Sequence, residues 1–249
     1  MGDLILHFPV TTLSGEELLP AGTVLTQTTM QDLIAAAPEE PAYQEPLLQY
    51  ATVRQDILSF CHHPSYSIIF ADTQSTDKLL GLMEATKLAL PLLEGLDFFK
   101  SHDYYTYRHI LMVFALSMLL AQELIDDPQL FIREALPPPT HDFGKVSVPL
   151  EILRKTEPLN AIERQQLEHH SVAGYVLLSY YLKDYNSPAA LTARDHHERQ
   201  DGSGYPAGIH LTDRMVEIVA ISDIFDALIA KRPYRPVSYD HRTALEEIT

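Results

Sequence analysis

RHILMVFALSMLLAQEL, residues 108–124, decides how the rest of the chain is read. The run is too long for a strand and holds few β-branched residues, so it reads as a helix buried on most sides. One residue with metal-binding chemistry, His109, stands near its start.

Downstream, helical text covers Asn160 to Lys183, Pro188 to His197 and Met215 to Ala230, separated by loops bearing Pro and Gly. Residues 100–249 are therefore expected to be all-helical. Upstream, Glu45 to Phe60 and Thr76 to Phe99 space their apolar residues by three and four, with Thr76 or Ser75 available to cap the second. A short helix is expected after Thr26, through Met30, Leu33 and Ile34, ended by Pro38 to Pro41. Leu4 to Leu25 is turn-rich at Ser14-Gly15, Pro20 and Gly22, which fits small strands or an extended lead-in. The expected fold is mainly α, with a mostly helical N-terminal domain over residues 1–99 that contains a minor β element, and a helical bundle over 100–249.

Composition narrows the function. Thirty-four acidic residues against eighteen Lys and Arg give a formal charge of −16, which disfavours duplex nucleic acid and anionic membrane as partners. An anionic ligand then needs a local basic pocket. Cys61 is the single cysteine, which excludes an internal disulfide framework and a thiolate metal cluster and suits a reducing, cytoplasmic setting. The longest greasy stretch, Ile110 to Leu116, falls far short of the roughly 20 residues that span a bilayer, and MGDLILHFPV lacks the marks of a targeting segment. No internal repeat interrupts the chain, and Pro137-Pro138-Pro139 is its one strong local anomaly.

Directly after those prolines the chemistry begins. His109, the pair His141-Asp142, His170, the pair His196-His197 and Asp223 are neutral imidazoles and carboxylates, the ligands that suit Fe, Mn or Zn. Adjacent ligands cannot both point the same way from a regular helix, so two such pairs suggest helix ends or two metals. Twelve histidines would produce some adjacency by chance. The text between them speaks against chance.

His141-Asp142-Phe143-Gly144-Lys145, then HHERQDGSGYP over residues 196–206, then Asp223-Ile224-Phe225-Asp226-Ala227-Leu228, then Arg232-Pro233-Tyr234-Arg235 resemble the successive motifs of the HD-GYP family. The resemblance covers about residues 100–249 and implies a metal-dependent phosphohydrolase acting on cyclic di-GMP. It also implies metal ligands at His109, His141, Asp142, His170, His196, His197 and Asp223, with Asp142 bridging. His169 is read as a neighbour, because the family's ligand lies four residues before a glycine, here Gly174. Two metals about 3.5 to 4 Å apart can clamp a phosphodiester and acidify a shared water, which removes the need for a Ser or Cys nucleophile.

Around that set, Lys145 stands three residues after Asp142 and can neutralise nonbridging phosphate oxygens if the segment is helical; otherwise it is a solvated lysine. Asp226, one turn after Asp223, is expected to orient Lys145, or else to serve as a soluble helix-face residue. Arg232 and Arg235 supply positive charge for a dinucleotide, unless they only pair with helix carbonyls. Gly202, Gly204 and Pro206 shape a loop that borders the substrate in the family, so Gly204, Tyr205 and Pro206 are expected at the ligand. The set of catalytic residues is thus Asp142, Lys145 and Asp226.

The chain departs from the family in three places. Tyr105 occupies the position where some members carry a third-metal glutamate, so two divalent ions are expected, Fe or Mn before Zn or Ni. The three prolines cannot continue a helix, so either the backbone before His141 differs or the pair begins a helix capped by Thr140. The sequence also stops inside helical text at Ala244 to Thr249, where the family's domain is expected to continue. Two functions compete: hydrolysis of cyclic di-GMP to pGpG, in one step or with a second step to GMP, and a slow, metal-loaded module that only binds a cyclic dinucleotide. A hybrid cyclic GMP-AMP is a further substrate class. Leu18 to Leu25 resembles a segment that often precedes such domains, which assigns residues 1–99 a regulatory role or contact with a protein partner, a second copy of the chain included.

Overall fold

A computed structural model of the chain describes residues 4–39, 43–125, 135–231 and 237–248. The fold is mainly α with two small antiparallel sheets. Among the described residues, no helix is long and apolar enough to cross a membrane. The chain divides into two compact units that interleave its sequence, residues 1–43 with 140–217 and residues 44–139 with 218–249.

The first unit opens on a hairpin of β1, Val10–Thr11, and β2, Glu17–Leu19, preceded by a bridge between Ile5 and Val24. α1, Gln27–Ala35, follows and is capped by Thr26, whose side chain accepts the Thr29 amide. After Thr140 come α6, Leu150–Leu153, α7, Ala161–Glu168, α8, His170–Leu182, and α9, Pro188–Asp195. The stretch expected as one helix from Asn160 to Lys183 is therefore two, joined at His169. Asn160 starts α7 with a reciprocal capping box to Glu163. α8 is buried at every position from His170 to Tyr180 and forms the centre of this unit. It packs against α9, α1, β1 and the turn that carries the His-Asp pair.

The second unit is built on α5, Tyr104–Leu124, which contains the opening 108–124 run and buries residues on all its faces. Asp103 caps it, accepting from the Thr106 amide and hydroxyl. Around it lie α2, Val53–Cys61, α3, Thr73–Met83, and α4, Leu90–His102. The continuous helical text expected from Thr76 to Phe99 is interrupted by β4, Lys87–Ala89, which pairs antiparallel with β3, Gln44–Pro46. The same strand shortens the expected helix from Glu45, which begins only at Val53. α3 starts at Thr73, so Ser75 and Thr76 lie inside it and not at its cap. α10, Arg214–Ile229, begins in the first unit and runs on into the second, which also holds α11, His241–Ile248.

Candidate metal centre

Residues that could hold a metal ion are gathered in both units. In the first, a 3-10 turn at Pro138–Thr140 leads to His141 and Asp142, and a second, Phe143–Ser147, follows. The prolines thus make a short turn with their fixed φ, and the His-Asp pair begins no α-helix. Three residues per turn align Asp142 with Lys145, whose Nζ lies 2.5 Å from Asp142 Oδ2. Gly144 sits against the start of α8: a Cβ there would stand 1.9 Å from the His170 carbonyl oxygen and 2.4 Å from the Gly174 amide nitrogen. This backbone contact, open only to glycine, brings Asp142 beside His170.

His196 caps the C-terminus of α9 and His197 follows it, so the two neighbours leave a helix end instead of one regular face. His170 Nδ1 donates to the Leu167 carbonyl at 2.6 Å, and His196 Nδ1 to the Ala193 carbonyl at 2.9 Å. A carbonyl can only accept, so Nδ1 carries the hydrogen in both rings and Nε2 keeps a lone pair. These Nε2 atoms lie 3.4 Å apart, and His197 Nε2 is 3.2 Å from His170 Nε2. Asp142 Oδ1 stands 3.3 Å from His170 Nε2 and 3.9 Å from His196 Nε2, while its Oδ2 lies 3.5 Å from His141 Nε2. Facing lone pairs repel unless a proton or a cation lies between them. Burial pushes the His170 imidazole down to about 3, which removes the proton at neutral pH. A divalent cation with nitrogen and oxygen affinity fits what is left. The ligand atoms of His170, His196 and His197, and those of His141, Asp142 and His196, each lie within 4.8 Å of one another.

The second unit holds His109 on α5 with Asp223 and Asp226 on α10. His109 Nε2 is 2.9 Å from Asp223 Oδ1, and its Nδ1 is 2.7 Å from Asp226 Oδ2. Asp226, fully buried, also receives Arg108 Nη2 at 3.1 Å and a short hydrogen bond from the Tyr66 hydroxyl. Burial alone would raise the Asp226 carboxyl, but Arg108 and His109 hold it below the usual carboxylate range. Burial would likewise depress His109, yet its bonds to Asp223 and Asp226 outweigh this and raise it. The orienting role anticipated for Asp226 toward Lys145 is corrected by these partners: Asp226 fixes the ring of His109, and Lys145 pairs with Asp142. Tyr105 lies ring over ring with His109, centroids 6.0 Å apart.

The loop after His197 is held by a residue to which the sequence assigned no role. Glu198, 0% exposed, accepts the Ala207 and Gly208 amides on Oε1 at 2.7 and 3.1 Å and the Ile209 amide on Oε2 at 3.1 Å. Gly204 packs where a Cβ would stand 2.4 Å from the His197 carbonyl oxygen. The loop is thereby folded back so that Tyr205 stacks on His197 at 4.7 Å between centroids, and the Tyr205-Pro206 peptide is cis. Arg232 and Arg235 lie outside the described residues. Glu198 and Arg108 each stand next to a predicted ligand, a signal that could have found them. Tyr66 has no such signal, since its carboxylate partner is 160 residues away.

Residues 87–249 match the family described as HD domain. The chain is 41% identical over 99 residues to the "Cyclic di-GMP phosphodiesterase response regulator RpfG" of Xanthomonas campestris, covering 39% of this chain and 26% of that protein. It is 36% identical over 136 residues to a "Cyclic di-GMP phosphodiesterase" of Thermotoga maritima, covering 53% and 37%. It is 34% identical over 161 residues to the "3'3'-cGAMP-specific phosphodiesterase 1" of Vibrio cholerae, covering 64% and 36%. The chain thus spans between about a quarter and two fifths of the length of these relatives. The family match over 87–249, joined to the order of its His-Asp, His-His-Glu and Gly-Tyr-Pro motifs, makes this chain a member of the HD domain family, of the HD-GYP kind.

Proposed function

We propose that this chain is a metal-dependent phosphodiesterase that opens cyclic di-GMP to linear pGpG. The observation that supports this reading best is the convergence of the Nε2 atoms of His141, His170 and His196 on Asp142, with each Nδ1 of His170 and His196 committed to a carbonyl. Two divalent ions, Fe or Mn, are the proposed cofactors, with His109, His141, Asp142, His170, His196, His197 and Asp223 as ligands. Such ions, when bound, supply Lewis acidity and bring the pKa of water toward neutrality. Asp142 suits the bridging role because its two oxygens face different histidines. Lys145 holds a compact cation beside that carboxylate, where it meets nonbridging phosphate oxygens. Arg232 and Arg235 are proposed to bind phosphate, and Tyr205 to meet the ligand. Residues 100–249 carry the reaction in this reading, residues 1–99 regulate or dimerise, and the activity is cytoplasmic.

The test is incubation of anaerobically purified protein, reconstituted with Fe(II) or Mn(II), with cyclic di-GMP, following products by chromatography and metal content by elemental analysis. Linear product with about two metals per chain is expected. The double variant His141→Ala, Asp142→Ala should lose turnover, and hydrolysis that survives it would sink the assigned site. Saturable binding with intact ligand would point to a binding module.

A further inference from the structure

The second unit contains a cavity of about 330 Å³ that no part of the proposed reaction uses. Its walls come from the end of α2 and the turn after it, from Tyr104 and Arg108 at the start of α5, and from Lys231 just past α10. The volume lies within the range of small-molecule sites. The cavity is reached from His109 through Nδ1 and not through the Nε2 that faces Asp223: Nδ1 meets Asp226, which in turn receives Arg108 and Tyr66, two of the lining residues.

Its chemistry selects an anion. Arg108, Lys231 and His63 line it, and among the described residues no carboxylate or side-chain amide does. Lys231 and His63 are exposed and the Arg108 side chain is 17% exposed, so all three are open to a ligand. His63 Nδ1 accepts the Ser65 amide at 3.3 Å, which leaves Nε2 to carry the hydrogen. Arg108 commits Nη1 and Nη2 to Tyr66 and Asp226, while its Nε makes no hydrogen bond among the described residues. The remaining polar side chains are hydroxyls; that of Tyr66 is committed to Asp226, and those of Ser59, Ser65 and Tyr104 can donate. Asp226 offsets one of the two fixed charges, but it is 0% exposed and does not line the cavity. In a chain of formal charge −16, a cavity lined by cations and donors concentrates anions that the rest of the surface repels. Phe60 and Tyr104 meet edge-on with centroids 6.2 Å apart and add an aromatic wall.

We infer that this cavity is a second binding site, separate from the metal centre, for a phosphate monoester carried on a small aromatic body. Arg108, Lys231 and His63 meet the phosphate, and Phe60 and Tyr104 meet the ring. A monoester carries a charge of about −1.5 to −2 near pH 7, where a diester carries a single charge, so two cations favour it over a cyclic dinucleotide. The site stands without the proposed reaction; only its influence on the metal centre rests on His109 being a ligand. An anion in the cavity draws on the guanidinium that compensates Asp226, and so leaves more negative charge beside His109. Cation binding at His109 is thereby tightened, and by reciprocity the cation tightens the anion.

The experiment titrates the full chain by calorimetry with phenyl phosphate, inorganic phosphate and phenol, beside the variants Lys231→Ala and Ser59→Asp. Both positions are exposed, so the variants should fold, which circular dichroism checks. Expected is saturable binding of phenyl phosphate, about tenfold tighter than inorganic phosphate, with no binding of phenol. Lys231→Ala should weaken phenyl phosphate about tenfold, and the carboxylate of Ser59→Asp should abolish its binding. Unchanged affinity in both folded variants overturns the site. Phenol bound as well as phenyl phosphate overturns its choice of an anion, and equal affinity for the two phosphates overturns its aromatic half. For the link to His109, Mn(II) is titrated in saturating sulfate, a dianion that leaves Mn(II) in solution, against chloride at equal ionic strength. Mn(II) affinity should rise about fivefold in sulfate, and Lys231→Ala should lose that gain. Sulfate binding without the gain overturns the link and upholds the site. A chain that binds phenyl phosphate in a Lys231-dependent manner but no Mn(II) overturns the metal reading and likewise upholds the site.

Discussion

Replacing Asp226 with asparagine removes the charge that accepts His109 Nδ1 and compensates Arg108, while leaving every proposed metal ligand in place. The histidine then loses the partner that fixes its tautomer, and a buried guanidinium loses its counter-charge. Partners of this kind typically change metal affinity or activity by about 10- to 100-fold when mutated, and a loss of that size is expected in metal titrations of Asp226→Asn. Wild-type metal affinity would show that His109 needs no such support. At this scale the candidate ligands were legible as candidates, because imidazole and carboxylate chemistry belongs to the residues themselves. The partner of Asp226 was not, since Lys145 and His109 are equally compatible with a one-turn spacing from Asp223, and only the packed side chains choose between them.

Elements are held in register by contacts of two kinds, and each predicts a different result. Gly144 and Gly174 allow the 3-10 turn to touch α8 through backbone atoms, so Gly144→Ala must push the turn away and take Asp142 with it. A loss of about 2 to 3 kcal/mol in denaturant unfolding, with lower metal content, is expected. Gly81, inside α3, would place a Cβ with no heavy atom within 4 Å, so Gly81→Ala should instead stabilise by about 0.5 to 1 kcal/mol. Opposite signs from one substitution type would separate close approach from helix propensity. The second kind of contact is polar: Asp56 on α2 accepts Lys100 Nζ of α4 at 2.6 Å, the Tyr107 hydroxyl of α5 at 2.6 Å and the Thr52 hydroxyl at 2.8 Å. Burial raises this carboxyl, but those donors outweigh it and the folded value lies below the ordinary one. Its stabilising contribution is therefore full above about pH 4 and is lost as pH falls through the folded value. Thermal melts of wild type and Asp56→Asn should differ at pH 7 and converge toward pH 3; a constant gap would mean that the charge is irrelevant. The three-residue strands β3 and β4 escaped sequence reading because a segment so short carries no alternating pattern, and its ladder partner lies about forty residues away.

Over the whole molecule, a cation bound by the folded chain stabilises it by mass action, since the histidines and aspartates converge only when folded. Exhaustive chelation should lower the melting temperature by several degrees, and Fe(II) or Mn(II) should restore it in a concentration-dependent way. A melting temperature indifferent to metal would count against the assigned ligands. The sequence by itself determined the mainly α fold, the buried 108–124 helix, the family and the seven candidate ligands, because periodicity and short motifs are local properties that survive without a fold. Only the tertiary structure decided that β1 and α1 pack on α8, that Glu198 holds the Gly-Tyr-Pro loop, and that Tyr66 and Arg108 share Asp226. Each of these is a hydrogen bond or an apolar contact whose partner is chosen by burial. A buried polar group must be satisfied by whatever the folded chain brings within reach, and nothing in the spacing of residues along the chain says what that will be.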